Sequence, residues 1–143
     1  MSTNNKRNFF RLTFTVPLGA DVKIFGMGDL DPETKLYKAA LVDLSAGGAR
    51  FFTQAPLPDK PGLLTELRFM CLGHEYRPYG PIVRSILPEP GHYEYCIQFS
   101  LDDTDTSALT RMLNQLAIKL RRTPNVPGCS FLTPEETAEF EHF

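Results

Sequence analysis

The sequence has no tryptophan and only three cysteines, Cys71, Cys96 and Cys129. Their number is odd, they lie far apart and no two form a CxxC pair, so neither a disulfide framework nor a zinc site of the usual spacing is expected. They read as reduced thiols of the kind commonly buried. No apolar run approaches the ~20 residues that a membrane-crossing helix needs, so no membrane insertion is expected. The polar opening, residues 1–8, lacks an apolar stretch; no signal peptide is expected, and a cytoplasmic location follows as the default. There is no Walker loop, no HExxH and no metal cluster, hence no expected cofactor or metal. The three histidines, His74, His92 and His142, fall in expected loops or the tail. With Ser45 or a cysteine as nucleophile they compose no catalytic signature, so no enzyme is expected.

A large excess of charge of one sign is missing too. The net charge of −2 is too small to make the whole molecule a polyanion magnet. The local distribution says more. The first twenty residues hold Lys6, Arg7 and Arg11 and no acid, whereas Glu135, Glu136, Glu139 and Glu141 crowd the end. The basic start points to a local anionic partner. A broad basic stripe with exposed aromatics, as general nucleic-acid binding requires, is absent, so no nucleic-acid partner is expected.

What is present fits one domain. A chain of 143 residues can bury a core without staples. Leu12, Phe14 and Val16 alternate with Thr13 and Thr15, the period of a half-buried strand, which Pro17 and Gly19 should end. Residues 21–25 read as a second, separate strand after which 26–35 form a loop. Residues 36–42 and 49–53 read as strands around a turn at 43–48. Residues 63–72 alternate, as do 82–87 and 93–100 around the turn Pro88-Glu89-Pro90-Gly91. In the last of these, Tyr93, Tyr95, Ile97 and Phe99 share one face, and Glu94, Cys96, Gln98 and Ser100 the other.

The period then changes. Leu109, Met112, Leu113, Leu116, Ala117 and Leu120 make a helical stripe with acids at its start and Lys119, Arg121 and Arg122 at its end, as the helix dipole favours. Thr133, Pro134 and Glu136 carry the signature of a capped short helix. The sum is a mainly β protein: a small six-stranded antiparallel β-barrel or sandwich with a C-terminal amphipathic helix covering an open end. The expected divisions are a flexible arm at 1–11, the barrel and helix at 12–122, and an acidic, proline-containing tail at 123–143.

Two short motifs carry chemistry. Arg7-Asn8-Phe9-Phe10-Arg11 is an RxxxR just before the first strand. Asp43-Leu44-Ser45-Ala46-Gly47-Gly48 is a DxSxxG between two strands. A guanidinium grips the O6/N7 edge of guanine or a phosphate bidentately. A carboxylate and a hydroxyl accept donors from a base edge, and glycine allows close approach to the backbone. In this order and on these elements, the motifs resemble the PilZ domain, a family of bacterial receptors for cyclic di-GMP. The later strands and the helix look alike too, so that the resemblance covers residues 6–122. It implies a PilZ-like split barrel in which Arg7 and Arg11 hold phosphates and guanine, Asp43 and Ser45 read a guanine edge, and Gly48 shapes the floor. Lys6, Gly47, Arg50 and Arg84 are secondary candidates. The position of Lys6 is associated in the family with how many ligand molecules bind.

The sequence departs from the family in its long 26–35 loop and at Tyr95-Cys96-Ile97, where relatives often place glycine. The resemblance further implies a conformational change on binding and an unidentified protein partner in motility, biofilm or exopolysaccharide control. The state expected for the chain itself is a monomer or weak homodimer. The alternative is a PilZ-like protein–protein interaction module without a nucleotide ligand.

Overall fold

The computed structural model describes residues 9–26, 35–58, 61–87 and 93–140. Among these, eight strands and two helices follow in the order β1 (Arg11–Gly26), β2 (Leu36–Ser45), β3 (Gly48–Thr53), β4 (Leu63–Cys71), β5 (His74–Tyr76), β6 (Tyr79–Gly80), β7 (Ile82–Ile86), β8 (Tyr93–Gln98), α1 (Asp103–Leu120) and α2 (Pro134–Ala138). The protein is mainly β, antiparallel, with a C-terminal amphipathic helix.

The expected six-stranded barrel is met only in part: among the described residues the sheet has eight strands and is not closed. The hydrogen-bonded path runs β5-β4-β1-β2-β3-β8-β7, and β6 pairs with β4 away from that path. Residues 78–82 bring the two sides of the curled sheet together: Leu67 N donates to Pro78 O at 2.9 Å and Gln98 N donates to Pro81 O at 3.1 Å. Pro81 has no N–H of its own, and it separates β6, on β4, from β7, on β8. The ladders therefore approach without joining into a ring. At this crossing a side chain on Gly80 would put its Cβ 1.8 Å from Gln98 O.

The expected break at Pro17 also does not occur. Residues 11–26 are a single strand whose register slips between Thr13 and Leu18. Proline is tolerated there because a slip leaves ladder positions unpaired anyway. The C-terminal segment uses the opened edge: Leu132 N donates to Pro17 O at 2.9 Å and Gly19 N to Ser130 O at 2.6 Å. That segment docks along its length. Ser130 N donates to Met70 O at 3.0 Å, Thr133 and Glu136 form the capping box of α2, and Phe140 is buried against Ala40, Val42 and Phe52.

The main core lies between the concave side of the sheet and α1. Alternation supplies it: Thr65, Leu67, Phe69 and Cys71 of β4 are buried, as are Tyr95 and Ile97 of β8. In α1, Leu109, Met112, Leu113 and Leu116 form the buried stripe, and the Asp102 carboxylate caps the helix by accepting from Asp105 N at 2.8 Å. Leu116 is fully buried. Truncating it leaves a cavity, so Leu116→Ala should lower the unfolding free energy by about 2–5 kcal/mol, measured by urea denaturation.

Candidate ligand-binding cleft

β2 and β3 form a tight hairpin in which Ser45 pairs with Gly48 across the turn Ala46-Gly47. The Ser45 hydroxyl accepts from Gly47 N at 3.1 Å and lies 3.4 Å from Gly48 O, to which it donates. It is buried, and it holds the turn. Gly48 is required by its neighbour strand: a Cβ there would lie 2.3 Å from Ile97 O of β8. A left-handed backbone is not the reason for glycine here, since the positive-φ glycines among the described residues are Gly62, Gly73 and Gly128. The ring of Phe9 packs over Gly47 and fixes where the chain enters β1.

The register of β2 against β3 slips between Leu41 and Asp43. Leu41 and Leu44, three apart, both reach the main core, while Val42 joins the separate cluster under Phe140. Asp43 consequently faces outward. It belongs to a row that crosses the sheet, since Thr13 pairs with Asp43, Asp43 with Arg50, Arg50 with Cys96 and Cys96 with Arg84.

Along that row the charges interlock. Arg11 Nη1 donates to Asp43 Oδ1 at 2.6 Å, and Arg50 Nε donates to Asp43 Oδ2 at 3.1 Å. Arg50 Nη1 donates to Glu94 Oε2 at 2.8 Å. The Arg50 guanidinium is held above its ordinary pKa chiefly by the bond to Glu94; partial burial opposes this and Asp43 adds to it. The Cys96 thiol is pushed up by burial first and then by Glu94 and Asp43, against the opposing pull of Arg50 and Arg84. It stays protonated at neutral pH.

Arg11, Asp43, Arg50 and Cys96 of this network line a cleft of about 420 Å³ together with Ser45, Gly47, Gly48, Val83 and Gln98. The structure thus brings together every described residue of the two motifs that the sequence singled out. Arg50 stands at the centre of the charge network rather than at its margin. Arg84 sits exposed at the far end of the row and does not line the cleft. Lys6 and Arg7 lie outside the described residues. Glu94 and Cys96 escaped the sequence reading as site residues. Their place on the face opposite Tyr95 was visible, but the register that sets them beside Arg50 was not. A second groove of similar size, about 410 Å³, runs beneath the C-terminal segment and is lined by none of the residues of the two motifs.

Residues 5–115 match the family model described as PilZ domain. Among solved structures, the chain is similar to the PilZ domain with c-di-GMP of YcgR from Escherichia coli, at 14% identity and a TM-score of 0.56, over 84% of this chain and 98% of that one. It is also similar to the Bacillus subtilis inhibitor of motility, MotI/DgrA, at 18% identity and a TM-score of 0.53, over 79% of this chain and 52% of that one. At these identities the likeness is one of fold. No curated protein sequence matches the chain.

Two outcomes are expected from this geometry. Gly48→Ala should force β3 away from β8 and cost about 1–3 kcal/mol of stability, read as a lower thermal midpoint. Because folding raises the Cys96 pKa, the folded protein holds that proton more tightly than the unfolded chain. The associated stability is complete below the ordinary thiol value, near ~8.5, and is lost as pH rises through the raised one. Stability should therefore fall less steeply above the ordinary thiol value in Cys96→Ser than in the unmodified protein, by denaturant titration across that range.

Proposed function

Since the chain belongs to the PilZ domain family, we propose that it is a receptor for cyclic di-GMP that binds the nucleotide in the Asp43 cleft and does no chemistry on it. One observation carries the reading: Arg11 and Asp43, 32 positions apart and one from each motif, meet at 2.6 Å on the wall of a single cleft. Its volume is in the usual range for small-molecule sites, roughly 300–1,000 Å³.

The chemistry of the lining suits a doubly charged guanine dinucleotide. Asp43 accepts the N–H donors of a guanine edge, and Arg11 grips O6 and N7 or a phosphate. Arg7, outside the described residues, is assigned the second guanidinium by the motif. The acid beside the arginines keeps the site from being purely cationic, which would admit any polyphosphate. Binding without turnover fits the described lining residues: they include no histidine, and the Cys96 thiol among them is kept in the protonated, poorly nucleophilic form. Downstream, the nucleotide-bound form acts on a protein partner in motility, secretion or polysaccharide control. The inhibitor of motility among the structural neighbours lends that direction support.

A second reading has its own observation. Asp43 already holds two guanidinium groups, and the Ser45 hydroxyl is engaged in the turn. Among the described residues the charged groups of the cleft pair with one another, as they would in a PilZ-like interaction module that takes no nucleotide.

Calorimetric titration separates the two. The receptor should bind cyclic di-GMP and neither GTP nor cyclic di-AMP comparably. Arg7→Ala and Arg11→Ala should each abolish detectable binding, removing charge-assisted hydrogen bonds on the order of 1.5–3 kcal/mol. Absence of heat with cyclic di-GMP would sink the receptor reading in favour of the module, and wild-type affinity in either variant would overturn the roles given to Arg7 and Arg11.

A further inference from the structure

Glu94 belongs to neither motif, yet its carboxylate is where Arg50 ends. Arg50 bridges two acids on the strands either side of its own, reaching Asp43 of β2 at 3.1 Å and Glu94 of β8 at 2.8 Å. The side chains of Glu94 and Asp43 are almost enclosed, at 10% and 11% exposure, and that of Arg50 is 38% exposed. Arg11 is bound differently. It meets Asp43 through Nη1 alone, and its side chain is 55% exposed.

We infer that Glu94 is a positioning residue for the cleft: it fixes Arg50 as the lasting partner of Asp43, so that Arg11 is the guanidinium a ligand exchanges. The inference rests on the cyclic di-GMP reading. When guanine N–H donors arrive at Asp43, one guanidinium must surrender an oxygen. Arg11, itself more than half exposed and held by that one carboxylate among the described residues, yields, because water already competes for its side of the bond. The one clamped between two enclosed carboxylates stays. Arg11 is then free to turn its donors to a phosphate or base edge.

The same arrangement bears on ligand choice. If Arg50 were loose, it would swing to any anion in the cleft, and a simple polyphosphate could occupy the site. Held by Glu94, it keeps Asp43 neutralised and leaves that carboxylate available only to a ligand that brings donors of its own. A ligand offering phosphates alone can take Arg11 but gives Asp43 nothing in return.

The experiment is a double-mutant cycle on Glu94→Gln and Arg50→Lys, titrated with cyclic di-GMP and with GTP. The glutamine preserves shape and one acceptor; the lysine preserves charge but cannot bridge both acids. Each single variant should weaken cyclic di-GMP binding about tenfold, the size of one charge-assisted bond, and should narrow the preference over GTP. The double variant should be no weaker than the poorer single one, because both changes undo the same clamp. A merely structural role is separated by the Arg50 Nε–H resonance of the ligand-free protein, which should be sharp and slowly exchanging, and should broaden or vanish in Glu94→Gln. Should Glu94→Gln fail to fold, Arg50→Lys alone carries the affinity and preference tests.

Wild-type binding with Glu94→Gln, or with Arg50→Lys, within twofold of it overturns the inference. So do losses that multiply in the double variant. An unmodified protein that binds no cyclic di-GMP removes the receptor reading itself, and this inference with it.

Discussion

The slip in register at Val42 turns that side chain and its neighbour Asp43 toward the same side of the sheet. In a regular strand one of the two would point into the core, and a buried carboxylate without a partner would cost several kcal/mol. The extra residue removes that conflict and gives the outer face two unlike neighbours: a charged row through Asp43, Arg50 and Cys96, and an apolar seat of Ala40, Val42 and Phe52 under Phe140. The cleft and the docked C-terminal segment thus lie side by side on β2 and β3. Bulges of this kind commonly re-aim a side chain next to a functional site.

The energetics of the cleft follow from its half-exposed position. A pair such as Arg11 with Asp43, one partner largely in water, is worth on the order of 0.2–1 kcal/mol. That is enough to align the groups and too little to lock them. Deeper burial would strengthen the attraction and also raise the desolvation cost, so that exchange with a ligand would be slow and unfavourable. The network is graded. It is most enclosed where Arg50 lies between strands and most exposed where Arg11 begins β1.

Much of this was readable from the chain. The stripe Leu109, Met112, Leu113 and Leu116 gave α1, because four apolar residues at helical spacing have few other uses, and alternation gave β4 and β8. The two motifs named Arg11, Asp43, Ser45 and Gly48, which the fold gathers in one place. What escaped was set by partners distant in sequence. Pro17 and Gly19 look like a strand end, and only the C-terminal segment, through Ser130 and Leu132, makes a continuous strand tolerable there. β5 and β6 are too short to announce themselves and exist because β4 pairs with them. That the sheet stays open goes with the change of partner at Pro81, between β6 on β4 and β7 on β8, which no local pattern marks. Glu94 could be placed on a face but not beside Arg50, since cross-strand register is fixed by the tight contact of Gly48 with Ile97.

A sheet left open has margins, and margins invite foreign strands. Here both are poor templates for growth. β7, at one end of the path, loses register between Ile82 and Arg84 and carries a cation on its exposed side. β5, at the other, is three residues long and includes the exposed acid Glu75. An incoming chain would find a kink and a charge at one border and almost no length at the other. The protein can therefore forgo a sealed cylinder and still resist stacking edge to edge into fibrous aggregates as it accumulates.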